Sequence, residues 1–149
     1  MYSALLHAHS GLRWVVLALG ITVLVQAAKG FGSSEPWEKA QDKLQLAFIA
    51  ALDIMMLIGL ALYFVFSPIT QAAFQDMGAA MSDTTLRFFA VEHIFEMLIA
   101  IVVAHVGRAV GKRKVEKRNR IVTITTAIWL LLTFIAIPWP FMPVSRGLF

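Results

Sequence analysis

The sequence predicts an all-α integral membrane protein, a single four-helix up-down transmembrane bundle. Apolar residues make up 59% of the 149-residue chain and charged residues 15%, against about 45–50% and about 25% in ordinary soluble domains. A chain this short buries too little of its surface to hide that excess in a water-soluble core. Four separate stretches are also long and apolar enough to cross a ~30 Å hydrocarbon layer as helices of ~20 residues.

The four predicted spans are separated by short polar segments. The spans run from about His9 to Ala28, from Leu44 to Phe66, from Phe88 to about Gly107 and from Ile121 to about Pro138. Short connections favour antiparallel neighbours, hence the up-down bundle. In the second connection, the segment PITQAAFQDMGAAM is predicted to form a short interfacial helix, and Ser82 or Asp83 is predicted to cap the third span.

Lysine and arginine are distributed unevenly between the two sides of this predicted bundle. The third loop, residues 108–120, carries Arg108, Lys112, Arg113, Lys114, Lys117, Arg118 and Arg120, whereas the side with both termini carries Arg13, Arg87 and Arg146. Positive loops stay in the cytoplasm. We therefore expect a bacterial inner-membrane protein with a cytoplasmic basic loop and both termini in the periplasm. The basic loop fits topology and anionic lipid better than nucleic acid, which is not expected as a partner.

Several chemistries are excluded or unsupported by the residues present. The chain has no cysteine, which excludes disulfides, thiolate metal sites, iron–sulfur clusters and covalently attached c-type haem. No P-loop, nucleophile elbow or H-E-x-x-H zinc motif is present. The chain has almost no extramembrane domain, which suits a subunit of a larger membrane complex better than a stand-alone enzyme.

Ionisable side chains cluster in the outer half of spans one and three, where their cost in lipid makes them functional candidates. Span one contributes His9 and Arg13, and span three contributes Glu92, His93 and Glu96, preceded by Arg87. Two histidines on facing helices can ligate a haem iron from both sides, and arginine matches the propionates. We therefore predict His9 and His93 as iron ligands, with Arg13, Arg87 and Glu96 as further cofactor contacts. A quinone headgroup suits the same residues, and a purely structural role for them stays open.

Asp53 is an isolated carboxyl near the middle of span two. It lies nine residues after Leu44, about 13 Å into the membrane at ~1.5 Å per residue. We expect either a protonated Asp53 hydrogen-bonded across the bundle or a proton pathway with Glu96. The wider polar network would then include Glu92 and His105, although His105 near the cytoplasmic end also suits an interfacial position.

Five segments occur in an order that resembles one protein family. The segments are LLHAHSGLRWVVL, LIGLALYFVFSP, LRFFAVEHIFEM, HVGRA and AIPWP. They are similar to small four-helix bacterial membrane proteins commonly labelled "cytochrome b", over nearly the whole chain. The resemblance implies a b-type haem and roles for His9 and Arg13 and for the R-x-x-x-x-E-H residues Arg87, Glu92 and His93. Relatives often carry a histidine six residues before the glycine of span two, where this chain has Asp53, and that departure counts against haem.

The expected function is that of a small membrane subunit associated with electron transfer. Such a subunit either holds a b-type haem or flanks a quinone site in its periplasmic half, beside other membrane subunits of a respiratory or other complex. The alternatives are a cofactor-free structural subunit and a proton-pathway component that acts through Asp53 and Glu96.

Overall fold

The computed structural model describes residues 1–33 and 35–144, and within these ranges all regular structure is helical. The α-helices are α1 (Tyr2–Lys29), α2 (Lys39–Ala61), α3 (Pro68–Gln75), α4 (Met77–Ser82), α5 (Thr84–Arg87), α6 (His93–Arg113) and α7 (Arg118–Ala136). A π-helical turn, Leu62–Phe66, continues α2, a second one, Phe88–Glu92, joins α5 to α6, and a 3₁₀ turn, Val115–Lys117, precedes α7.

Four continuous helical segments are long and apolar enough to cross a membrane, as the sequence predicts. The segments are Tyr2–Lys29, Lys39–Phe66, Thr84–Arg113 and Val115–Ala136. We call the end of the bundle where α1 begins and α7 ends the terminal end, and the end with loop 108–120 the basic end. Arg146, which entered the charge count, lies outside the described residues.

The helix ends differ from the predicted span ends because hydropathy locates the apolar part of a helix and not its termini. The first helix begins at Tyr2, seven residues before His9, and α6 continues through the basic residues to Arg113. The helix of the fourth span, α7, ends at Ala136, two residues before Pro138. The predicted interfacial segment forms α3 and α4, and Asp83 is the cap, since its Oδ1 accepts a 2.8 Å bond from the Leu86 N–H.

The long helices do not all touch one another equally. The most extensive contacts join α6 to α7 and join α1 to both α2 and α7, whereas α2 and α6 touch only lightly. The helices α1 and α6 therefore lie across the diagonal of the bundle and are not side-by-side neighbours. We refer to the lightly packed contact between α2 and α6 as the α2–α6 seam.

The half of the bundle toward the basic end is filled by close packing. Trp129 is fully buried, as expected of a packing residue, and its ring meets Phe48 edge-on with centroids 4.7 Å apart. Gly20 gives this ring its space, because a Cβ at residue 20 would lie 2.2 Å from Trp129 Cζ3. Gly107 has the same role beside α7, where a Cβ would lie 2.0 Å from Thr125 Oγ1. Gly107 and Gly111 form a G-x-x-x-G pair on α6, and both face α7, so the pair serves close helix packing.

A polar cluster closes the basic end. The carboxylate of Asp42 on α2 accepts hydrogen bonds from Arg118 and, at 3.4 Å, from Arg108. Gln45 accepts from the same two guanidinium groups at 3.1 and 3.2 Å. Arg118 also lies 4.7 Å from the centre of the Trp37 ring. The cluster joins α2, α6 and α7 through these hydrogen bonds, which indicates a structural role.

A di-histidine cleft as the candidate functional site

A cleft opens between the long helices in the half of the bundle toward the terminal end. It encloses about 170 Å³, less than the ~300–1,000 Å³ of pockets that surround a whole cofactor or drug-sized ligand. Most of its lining is aliphatic or thioether. The polar side chains that line it are Tyr2, His9, Ser10, Arg13, Tyr63, Ser67, Thr70, His93 and Thr133. An apolar cleft with a few convergent polar groups is typical of a small-molecule site.

The two π turns border this cleft and are joined to each other. Tyr63, in the first π turn, donates its hydroxyl to the Ala90 carbonyl in the second at 2.7 Å. Thr70 of α3 donates to the Tyr63 carbonyl, also at 2.7 Å. A π turn leaves carbonyls without their usual helical partners, and such turns occur frequently at functional sites. These bonds fix the rim of the cleft.

His9 and His93 meet across the cleft from the diagonal helices α1 and α6. Their ring centres are 6.4 Å apart and their planes are inclined by 74°. When two imidazoles bind one metal ion from opposite sides, each ring centre lies ~3 Å from the metal, as the sum of a ~2 Å metal–nitrogen bond and ~1 Å from that nitrogen to the ring centre. The two ring centres are then about 6 Å apart. The angle between the planes is free in such an arrangement, because each ring can rotate about its own metal–nitrogen bond. The observed separation therefore matches that of two imidazoles on opposite sides of one metal ion.

The Nδ1 atom of His93 is held by the end of α7. It lies 2.8 Å from the carbonyl oxygen of Ala136, and since a carbonyl only accepts, Nδ1 must carry the proton. That carbonyl is available because α7 ends at Ala136 and the residue four positions later is Pro140, which has no N–H. The Nε2 atom of His93 is thereby left unprotonated and able to bind a ligand.

His9 occupies a comparable position against α2. Its Nδ1 is buried beside the Met55 backbone carbonyl, without a hydrogen bond of standard geometry among the described residues. The ring also fits against Gly59, where a Cβ would lie 3.1 Å from His9 Cε1. Gly59 and Ala136 are therefore positioning residues that the sequence analysis did not identify. The available signal for Gly59 was a glycine inside a strongly apolar span, which often marks close approach.

The remaining predicted cofactor contacts lie in different places. Arg13 lines the cleft, with its guanidinium 5.2 Å from the centre of the Trp14 ring. Arg87 does not line the cleft and instead pairs with Glu92 at 2.7 Å. Glu96 does not line it either, and its Oε2 is buried without a hydrogen-bond partner among the described residues. The structure thus brings His9, Arg13 and His93 together and leaves Arg87 and Glu96 apart from them.

Asp53 is paired with His105 and not with Glu96. The His105 Nε2 and the Asp53 Oδ1 are 2.8 Å apart, and both side chains lie on the outer surface of the bundle at the α2–α6 seam. Neither residue lines the cleft. Two of the four residues predicted for a polar network, Asp53 and His105, therefore form a separate, surface-facing pair.

The fold and this site define the protein as a helical bundle of the membrane-spanning type with a cleft bridged by two histidines. Comparison with family models, with curated proteins and with solved structures gave no match to the chain. Within residues 1–33 and 35–144, no three His, Asp or Glu side chains converge as ligands for a metal ion. A metal held by two histidines alone needs further ligands from elsewhere, and a porphyrin supplies four.

Proposed function

We propose that this protein is a small membrane subunit of an electron-transfer system and binds one b-type haem in the di-histidine cleft. His9 and His93 would hold the haem iron. The observation that carries the proposal is the 6.4 Å separation of their ring centres, together with the hydrogen bond that directs the His93 Nδ1 to the Ala136 carbonyl. A hydrogen bond from the second ring nitrogen is the usual way in which a ligating histidine is oriented.

Three side chains of the cleft, His9, Arg13 and His93, would hold the cofactor. His93 is oriented by Ala136, and His9 is confined between Met55 and Gly59. Arg13 offers a guanidinium for a propionate carboxylate. The apolar lining excludes water, which strengthens every electrostatic interaction inside the cleft. A bound haem supplies reversible one-electron transfer, which no side chain of this chain provides.

The size of the cleft favours a cofactor that is only partly enclosed. A volume of about 170 Å³ surrounds part of a macrocycle, and the remainder needs additional space. The α2–α6 seam is the most weakly packed contact between adjacent long helices, and both helices line the cleft. Of the helix contacts beside the cleft, this seam would therefore resist a partly enclosed cofactor least.

The proposed setting is the bacterial inner membrane, with the cleft in the periplasmic half and loop 108–120 in the cytoplasm. The charge difference between the two sides supports this orientation. The cysteine-free chain permits a direct test with single cysteines at Ser3 and Lys114. In intact cells, a membrane-impermeant maleimide should label S3C and not K114C. The reverse pattern would contradict the orientation.

A reduced-minus-oxidised absorbance spectrum of the purified protein tests the haem. Protein made in cells supplied with haem precursor should show a sharp α-band. In H9A and H93A that band should fall by at least about tenfold per mole of protein. The matched controls are H7A, an exposed residue on the same helix as His9, and H105A on the same helix as His93; both should keep the band. A colourless, monodisperse wild-type protein would refute the haem proposal and favour a cofactor-free subunit.

A further inference from the structure

The Asp53–His105 pair lies in the middle of a surface that faces outward. The side chains of Asp53 and His105 are 41% and 46% exposed. Asp53 is fourteen residues after Lys39 and thirteen before Phe66, at the centre of its spanning segment. The exposed side chains around the pair are apolar and belong to Ile54, Leu57, Val102 and Val106. In a bilayer crossed by these segments, Asp53 lies at the depth of the hydrocarbon layer, and His105, eight residues before Arg113, lies nearer the basic end.

The pair does not use all of its hydrogen-bonding capacity. Within the described residues, the bond from His105 Nε2 to Asp53 Oδ1 is the one hydrogen bond that either side chain makes. The second carboxylate oxygen of Asp53 and the Nδ1 of His105 have no protein partner. Polar groups left unsatisfied in hydrocarbon are costly, and in membrane proteins such residues face a partner or a cavity. The cleft does not reach them, so a partner is required.

We propose that this surface is the interface with a second copy of the chain, related to the first by a two-fold axis along the membrane normal. The dimer surface consists of Asp53, His105, Ile54, Leu57, Val102 and Val106. A two-fold interface places each residue i against a residue j of the other copy and j against i. A hydrogen bond between the free Asp53 oxygen of each copy and the Nδ1 of His105 in the other copy, with one proton in each such contact, then joins all four side chains in one closed ring.

Two further features favour a second copy over a different occupant. Identical copies inserted in the same orientation present the pair at the same depth, so that the partner groups match without a separately evolved sequence. One helical turn toward the basic end, the exposed residues are Ala50 and Ala109, and small residues let helices from two chains approach closely. The inference does not depend on haem binding.

A charge-swap experiment tests the interface with full-length chains that carry two different affinity tags. In mild detergent, wild-type copies should co-purify. The single variants D53H and H105D should each self-associate roughly tenfold more weakly, because the exchanged groups no longer match. Co-expression of tagged D53H with untagged H105D should restore association. In this mixed pair, every contact between the two copies joins a carboxylate to an imidazole, although residues 53 and 105 within each copy stay mismatched. Absence of wild-type association, or of rescue in the mixed pair, would overturn the proposal.

Cysteine cross-linking gives a second readout that does not rely on polar substitutions. V102C is a conservative change on the dimer surface, and L131C lies at an equally exposed position of α7, with 59% and 62% of the native side chains exposed. Oxidation in native membranes should cross-link V102C copies to each other and leave L131C monomeric. Equal cross-linking of the two variants, or cross-linking of V102C to a different membrane protein in place of its own copy, would contradict a dimer at this surface.

Discussion

Gly20→Ala should destabilise the bundle although alanine is the better helix former. The added Cβ would lie 2.2 Å from Trp129 Cζ3, 2.7 Å from Cη2 and 3.1 Å from Phe48 Cε2. Carbon atoms pack at ~3.5–4.0 Å, so the Trp129 ring must retreat by more than ~1 Å. That ring is fully buried against Phe48, which places the strain near the upper end of the ~1–3 kcal/mol cost of overpacking. The higher helix propensity of alanine offsets ~1 kcal/mol of this cost, so the free energy of unfolding should fall by about 2 kcal/mol.

Thermal unfolding in detergent, followed by the loss of monodisperse protein, measures this effect. A loss of about 2 kcal/mol corresponds to a midpoint lower by roughly 4–8 °C in a chain of this size. The matched control is Gly11→Ala, where no atom lies within 4 Å of the new Cβ, and it should melt at or slightly above the wild-type temperature. The double variant G20A/W129F should lose less than the sum of the two single changes, since a smaller ring relieves the overlap. A G20A protein as stable as G11A would refute the packing of Trp129 on α1.

Three further changes test other parts of the molecule. Gly59→Ala brings a Cβ to 3.1 Å from His9 Cε1 and should displace the imidazole ring. Haem occupancy should then fall about tenfold, while the melting temperature should change little. Occupancy equal to wild type would argue against His9 as a ligand. Asp83→Ala removes the cap that accepts from Leu86 N–H and should cost ~0.5–2 kcal/mol, whereas the neighbouring Ser82→Ala should be nearly neutral; equal midpoints for the two would contradict the cap. Asp42→Asn weakens the acceptor shared by Arg108 and Arg118. It should lower the free energy of unfolding by about 1–2 kcal/mol, a value already reduced for the exposure of Asp42. The control Glu116→Gln changes an exposed residue and should melt as wild type, so equal midpoints for D42N and E116Q would count against the cluster.

The spans and their connections were accessible from the sequence because each follows from local chemistry. Twenty consecutive apolar residues are long enough to cross a membrane whatever the neighbouring helices do. Asp83 could be identified as a cap because the capping bond joins residues only three apart. The extent of the helices was less accessible, since polar residues such as those before Arg113 continue a helix without any hydropathy signal.

The arrangement of the helices was not accessible in the same way. In a membrane bundle, the lipid-facing and core-facing sides of a helix are both apolar, so composition does not show which face meets which neighbour. For this reason the sequence left open which helices touch, and the structure places α1 and α6 on the diagonal. The prediction that His9 and His93 lie near each other nevertheless agrees with the structure, because both lie near the same end of the bundle and the cleft spans the diagonal.

Of the features of the molecule, the pairing of side chains was the hardest to predict from the sequence. Asp53 and Glu96 were expected at similar depths, yet depth does not give the direction in which a side chain points around its helix. The structure places Asp53 against His105 on the outer surface and leaves Glu96 elsewhere. Likewise Arg87 pairs with Glu92 across the second π turn, whose irregular geometry alters which side chains share a face.

Electron paramagnetic resonance of the oxidised protein tests the central claim most directly, because it reports the ligands of the iron. Ligation by His9 and His93 predicts a low-spin ferric signal in the wild type, with about one iron per chain. In H9A and H93A, loss of one axial ligand should convert the remaining signal to high spin, and H7A should keep the low-spin signal. An iron-free wild-type protein from haem-supplied cells, or a low-spin signal unchanged in both H9A and H93A, would contradict a haem held between these two histidines.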